Sequence, residues 1–192
     1  MANLKELFNK KDHSNVRSIL ELAGAIGERK NTEVYVVGGF VRDLILGKTL
    51  NDIDLMTVGD GILFAKSLAN SLGVKKVISF KKYGTAIIPY KKIQIEVATA
   101  RTETYSKDSR NPSKVIYTDL YGDLIRRDFT INAMAMDIRP NYFGDFNDPY
   151  GGINDIDKRV LQTPLDPDET FSEDPLRMMR AAYFSSSLKF KI

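Results

Sequence analysis

The chain has 192 residues, a net charge of +3 and no cysteine, enough for one core and the start of a second smaller domain, and it has neither a disulfide framework nor a thiolate metal site. No apolar run approaches the roughly 20 residues that span a bilayer, and the N-terminus lacks a continuous hydrophobic signal region, so the composition predicts a cytoplasmic protein with no membrane partner. The single histidine, His13, lies in a polar stretch and reads as a plain surface residue, and nothing in the composition sets an oligomeric state.

In chain order, Val16, Ile19, Leu20, Ala23 and Ile26 recur at helical spacing and predict an amphipathic helix that covers a sheet. Glu33–Val37 reads as a buried strand. Gly38 and Gly39 then allow a tight turn and close approach to a ligand, and the stretch from Phe40 to Leu46 reads as a short helix closed by Gly47. A glycine turn that opens a helix presents backbone N–H groups to phosphate, and Arg42 adds a cation in the first turn. Next comes Asn51-Asp52-Ile53-Asp54-Leu55, a strand in which alternation sends Asp52 and Asp54 to one face and Ile53 and Leu55 into the core. Two carboxylates on one face suit Mg2+. Alone, such a pair is equally at home on a solvated strand edge; after Gly38-Gly39-x-x-Arg42-Asp43 it points to metal-assisted nucleotide chemistry.

Ile62, Ala65, Leu68, Ala69 and Leu72 predict a second helix ending at Gly73, followed by strands over 74–80, 85–89 and 92–99. The fold class is therefore α/β (α+β), a mixed sheet packed with helices. Along Ile93-Gln94-Ile95-Glu96-Val97 the two polar residues share a face. Glu96 is a third carboxylate if that face adjoins Asp52 and Asp54, and an exposed strand residue otherwise. Basic pairs at Lys75-Lys76, Lys81-Lys82, Lys91-Lys92 and Arg126-Arg127, with Lys107, Arg110 and Lys114, are either phosphate contacts or a solvated surface. Residues 102–114 are polar and aperiodic and read as a mobile loop, beside the active site or elsewhere on the surface.

Further on, Ser172 as N-cap, Glu173 and Asp174 in a first turn and Pro175 predict a helix start. Asp174, Arg177 and Arg180 are spaced by three along one stripe. Asp174 as acceptor and Arg177 as donor fork match the edge of cytosine or adenine, whose exocyclic amine and ring acceptor follow that order, and not uracil or guanine. The same spacing also suits an ordinary surface salt bridge.

With these motifs the sequence resembles the polymerase-beta-like nucleotidyltransferases, specifically the tRNA nucleotidyltransferase and poly(A) polymerase family of class II CCA-adding type. Three later segments carry the resemblance. Arg126-Arg127-Asp128-Phe129-Thr130-Ile131-Asn132-Ala133-Met134-Ala135 is similar to the family's ribose-reading segment, Asp148-Pro149-Tyr150-Gly151-Gly152-Ile153-Asn154-Asp155-Ile156 to its hinge, and Glu173-Asp174-Pro175-Leu176-Arg177-Met178-Met179-Arg180 to its nucleotide-template helix. The resemblance implies an N-terminal helix in 1–30, a catalytic head in 31–150, and a hinge with the start of a helical neck in 151–192, truncated relative to the family. It further implies that Gly38, Gly39 and Arg42 hold the triphosphate, that Asp52 and Asp54 bind metal, and that a carboxylate such as Glu96 joins the catalytic set. By the same resemblance Arg127, Asp128 and Asn132 meet the ribose or triphosphate, and Glu173, Asp174, Arg177 and Arg180 the base and phosphates. One position departs: the family commonly has arginine three residues beyond Arg180, where this chain has Tyr183. The implied activity is Mg2+-dependent transfer of C and A from CTP and ATP to the 3′ end of tRNA. A-only or poly(A) addition shares every motif, and a non-catalytic nucleotide- or RNA-binding module is the reading from another class.

Overall fold

The computed structural model describes residues 3–9, 13–106 and 109–192, with the side chains of 103–114 outside the description. By packing, the chain falls into two compact units, one of residues 1–100 and 135–147, the other of 101–134 and 148–192. Among the described residues no helix is long and apolar enough to cross a membrane.

The first unit contains α1 (Ser14–Arg29), β1 (Glu33–Val37), α2 (Gly39–Ile45), β2 (Asp52–Val58), α3 (Gly61–Ser71), β3 (Ile78–Phe80), β4 (Thr85–Tyr90) and β5 (Ile93–Thr99). Two later strands, which we number β8 (Ala135–Asp137) and β9 (Phe146–Asn147), complete its seven-stranded sheet in the order β3-β4-β5-β2-β1-β8-β9. All neighbours are antiparallel except β2 and β5, which run parallel. The alternation in β2 and β5 buries Ile53, Leu55, Ile95 and Val97 on one face, where Leu20 and Ala23 of α1 and Ala65 and Leu68 of α3 are also sealed from water. Asp60 caps α3 by accepting the Leu63 N–H at 2.9 Å, and Gly73 ends it in the left-handed region at φ 71°.

The second unit is built from the hairpin β6 (Arg101–Ser106) and β7 (Ser109–Tyr117), then α4 (Leu120–Ile125), α5 (Gly152–Lys158), α6 (Pro167–Glu173) and α7 (Leu176–Leu188). The Asp148 carboxylate caps α5 by accepting the Gly152 and Ile153 N–H groups at 2.7 and 2.9 Å, and the Thr130 hydroxyl donates to Asp155 Oδ2 at 2.6 Å. Phe129 meets Phe184 of α7 edge-on with ring centroids 5.9 Å apart.

Four expectations are corrected. Strand 74–80 shrinks to Ile78–Phe80, because Gly73 releases a connecting segment before the chain enters the edge of the sheet. Residues 102–106 and 109–114 lie in the paired strands β6 and β7 and not in a loop, since backbone pairing requires no apolar alternation; the loop expectation for Lys107 and Asp108 lies outside the described residues. His13 is 5 % exposed and not a surface residue: it flanks the start of α1, donates from Nδ1 to the Leu7 carbonyl at 3.3 Å and packs edge-on to Phe8. The fourth concerns α6 and α7 and is given with the site.

Gly24 fixes how closely α1 approaches the sheet: a Cβ there would collide with the Ile138 carbonyl just after β8. Gly24→Ala is expected to lower the unfolding free energy by roughly 1–3 kcal/mol in urea titration, the usual cost of overpacking; an unchanged midpoint would mean that α1 does not seat there.

Candidate active site

Gly38 adopts φ 67°, ψ −130°, a conformation that strains any residue with a Cβ, and so lets β1 turn directly into α2. Arg42, one turn into α2, is buried and folds back so that a Cβ on Gly39 would lie 3.4 Å from its Nη2. Its guanidinium forks onto Asp43, with Nε to Oδ1 at 3.0 Å and Nη2 to Oδ2 at 2.9 Å. Gly39, Arg42, Asp43, Asn51, Asp52 and Asp54 line one hollow of about 260 Å³. The two β2 carboxylates thus meet the glycine turn, as the sequence predicts.

Asp52 is exposed and Asp54 half-buried, while Ile53 between them is sealed in the core. The parallel pairing sets Asp52 opposite Gln94 and Asp54 opposite Glu96, so Glu96 projects from β5 on the same face as Asp54. Among the described residues no three His, Asp or Glu side chains are gathered tightly enough to cage a metal ion. That donor set suits Mg2+, which keeps several waters and is held by one or two carboxylates plus substrate phosphates.

In the second unit the sequence-predicted residues form two networks. Asp128 Oδ1 accepts from the Phe129 N–H at 2.9 Å and Asn132 Nδ2 at 3.0 Å, and its Oδ2 accepts from Arg180 Nε at 2.7 Å. Arg180 remains 54 % exposed, with its guanidinium 5.1 Å from the Phe184 ring centre. Arg177 is buried and donates to the Thr170 carbonyl at 3.1 Å, Glu173 at 3.1 Å and the Arg126 carbonyl at 2.8 Å. Tyr183 is exposed and leans on Phe184 with centroids 5.4 Å apart.

The expected helix start at Ser172 is the fourth correction. Ser172 and Glu173 close α6, Asp174 breaks it with φ −143°, and α7 begins at Leu176, whose N–H donates to Asp174 Oδ1 at 3.1 Å. Asp174 and Arg177 therefore do not share a helix, and the arginine pairs with Glu173. Asp166 as N-cap followed by Pro167 carried the signal for the earlier helix.

Asp43 enters the sequence reading only within the Gly38-Gly39-x-x-Arg42-Asp43 pattern, and Asp123 escapes it. Asp43 grips its own neighbour Arg42, and adjacent residues are not expected to face each other on a helix. Asp123 on α4 is 1 % exposed and accepts from Arg126 Nη2 and Arg127 Nη2, each at 2.8 Å, and from the Arg101 N–H at 3.3 Å. Burial raises its pKa, but Arg127 and Arg126 outweigh it and hold the carboxyl down to about 2.

A mixed sheet with a glycine turn and paired carboxylates at its open face defines a nucleotidyltransferase-type head domain. The family model for the poly A polymerase head domain matches residues 34–162, and the chain belongs to that family. It is 44 % identical over 158 residues to an A-adding tRNA nucleotidyltransferase of Aquifex aeolicus (strain VF5), covering 82 % of this chain and 19 % of that protein. It is 44 % identical over 161 residues to a CCA-adding enzyme of Bacillus pumilus (strain SAFR-032), covering 83 % of this chain and 38 % of the relative. A solved Thermotoga maritima CCA-adding enzyme complexed with tRNA superposes with a TM-score of 0.82 at 33 % identity, covering 98 % of this chain and 42 % of that one. The chain thus spans well under half the length of these relatives.

Asp123→Ala leaves two arginines without their buried partner and is expected to cost about 3–5 kcal/mol in denaturant unfolding. Because the folded carboxyl titrates at about 2 and not at its ordinary 3.8, its contribution is present above pH 4 and lost as pH falls towards 2. Acid unfolding followed by circular dichroism should lose that part of its pH dependence in Asp123→Asn; identical curves would count against the ion network.

Proposed function

We propose that the chain is the catalytic head, in 31–150, and the beginning of the neck, in 151–192, of an RNA nucleotidyltransferase. The enzyme adds C and A from CTP and ATP to the 3′ end of tRNA in the cytoplasm, with Mg2+ as cofactor. The observation that carries the reading is the convergence of Gly39, Arg42, Asp52 and Asp54 on one hollow. The relatives named above support the substrate, since two of them are called tRNA nucleotidyltransferase and CCA-adding enzyme.

In this reading the Gly38-Gly39 turn and Arg42 hold the triphosphate, and Asp52 and Asp54 hold Mg2+. Bound there, the metal lowers the pKa of the attacking hydroxyl and neutralises charge on the leaving group. The 3′-oxygen of the RNA attacks the α-phosphorus in line, the bond to the β-phosphate breaks, and pyrophosphate leaves. Glu96, beside Asp54, takes the hydroxyl proton or completes the carboxylate set. The protein's part is position and electrostatics.

Arg127, Asp128 and Asn132 meet the ribose or triphosphate, Glu173 steadies Arg177, and Arg180 reaches the phosphates. Asp174 accepts from the exocyclic amine of C or A, and Arg177 donates to the ring acceptor beside it. Three of the five guanidinium N–H groups of Arg177 are engaged internally, which anchors the fork and leaves the others for the base. The Aquifex relative favours A-only addition as a second reading of the same site.

Calorimetric titration with the four nucleoside triphosphates in Mg2+ should show ATP and CTP bound over GTP and UTP, with the preference lost in Arg177→Ala. Equal affinity for all four contradicts the base assignment. In transfer to a tRNA 3′ end, Asp52→Asn should cost about 1000-fold or more, the several kcal/mol that a metal supplies; wild-type rates would leave only a binding module.

A further inference from the structure

One face of the first unit's sheet is sealed, and the other leads from the acidic residues to an uncovered edge. Asp54 pairs with Glu96, Glu96 with Ile87, and Ile87 with Ile78. Side chains at paired positions project to the same side of a sheet, and Phe80, two residues beyond Ile78, joins them. The opposite row, Ile53, Ile95 and Ile88, is fully buried. Along the open row burial falls away: Asp54, Glu96 and Ile87 are half-buried, Ile78 is 39 % exposed and Phe80 45 %. Three strand spacings of roughly 4.8 Å separate β2 from β3, about 14 Å in all.

Charge follows the same path. From residue 61 to residue 95 the sequence has no Asp or Glu, whereas Lys75, Lys76, Lys81, Lys82, Lys91 and Lys92 are all exposed. That stretch alone carries more positive charge than the net +3 of the whole chain. Lysines on an edge strand discourage pairing with another sheet, but that role does not explain an exposed Phe and Ile between them. Aromatic and apolar side chains on an open sheet face, ringed by lysine, are the surface on which unpaired bases stack while their phosphates meet cations.

We infer that the β3 edge, with Ile78 and Phe80 flanked by Lys76, Lys81 and Lys82, is a docking track for single-stranded RNA. A base stacks on Phe80, the lysines contact phosphates, and the strand runs across Ile87 so that its 3′ end lies towards Glu96 and Asp54. An A-form duplex buries its base faces and gives Phe80 nothing to stack on. The direction of the strand rests on the proposed function; the track itself rests on register, exposure and charge.

The chain has no tryptophan, so Phe80→Trp installs a single fluorophore on the track. Titration with a short single-stranded RNA bearing a free 3′-hydroxyl should quench it, whereas the same sequence as a duplex, or polyglutamate, should not. In anisotropy measurements with labelled RNA, Phe80→Ala should weaken binding about tenfold. The double variant Lys81→Ala/Lys82→Ala should flatten the slope of log affinity against log salt by about 1.4. ATP affinity should hold in both variants, because none of Phe80, Lys81 and Lys82 lines the Asp52 hollow. An unquenched fluorophore, equal quenching by polyglutamate or duplex, or RNA binding indifferent to both variants overturns the track. Quenching by single-stranded RNA alone supports it even where nucleotide selectivity fails, so the two readings fall separately.

Discussion

The parallel pairing of β2 with β5 is the constraint on which the site depends. Every other neighbour in the sheet is antiparallel, whereas a parallel neighbour requires a crossover of a dozen or more residues. Here α3, β3 and β4 supply it, and α3 in turn helps bury the face opposite the carboxylates. Register then does the chemical work, because it sets Glu96 beside Asp54. A slip of one residue would turn Asp52 and Asp54 into the core and Ile53 out to water, with unpaired charges desolvated at several kcal/mol each. The apolar row Ile53, Leu55, Ile95 and Val97 therefore specifies where the acids stand.

Both units hold arginines on carboxylates, Arg42 on Asp43 and Arg139 on Asp137 in the first, but the two differ in what they leave at the surface. In the first, Asp52 is left at the surface, and the conformational freedom of Gly38 opens a hollow beside it. In the second, arginines are bound into the fold: Asp123 ties Arg126 and Arg127 together, Asp128 ties Arg180 to Asn132, and Arg177 is anchored on two carbonyls and Glu173. Such pairs add modestly to stability when complete and cost much when one partner is removed. Their effect is to fix the guanidinium planes.

Much of the first unit is legible in the sequence. Alternation and the glycine turn give β1, α2 and β2, and helical spacing gives α1 and α3, because local periodicity and burial agree there. Whether Glu96 adjoins Asp54 is not legible, since the choice between neighbouring strands is made by tertiary pairing. The β6–β7 hairpin escapes for the complementary reason that its backbone bonds need no apolar pattern. In the C-terminal part the residue types at Asp174 and Arg177 are readable but their helix is not: a carboxylate that caps Leu176 looks, in sequence, like one placed in a first turn. His13 misleads because its burial comes from Phe8 and α1 and not from its polar neighbours.

The central claim is that Asp52 and Asp54, beside the Gly38-Gly39 turn, hold a metal-bound nucleoside triphosphate. A crystal grown with Mn2+ and a non-hydrolysable ATP analogue tests it most directly, because the ion can be located by its anomalous signal. The account predicts a manganese peak on the Asp52 and Asp54 carboxylates with the triphosphate against Gly39 and Arg42. An ion and triphosphate bound elsewhere on the chain, with those carboxylates untouched, would contradict it.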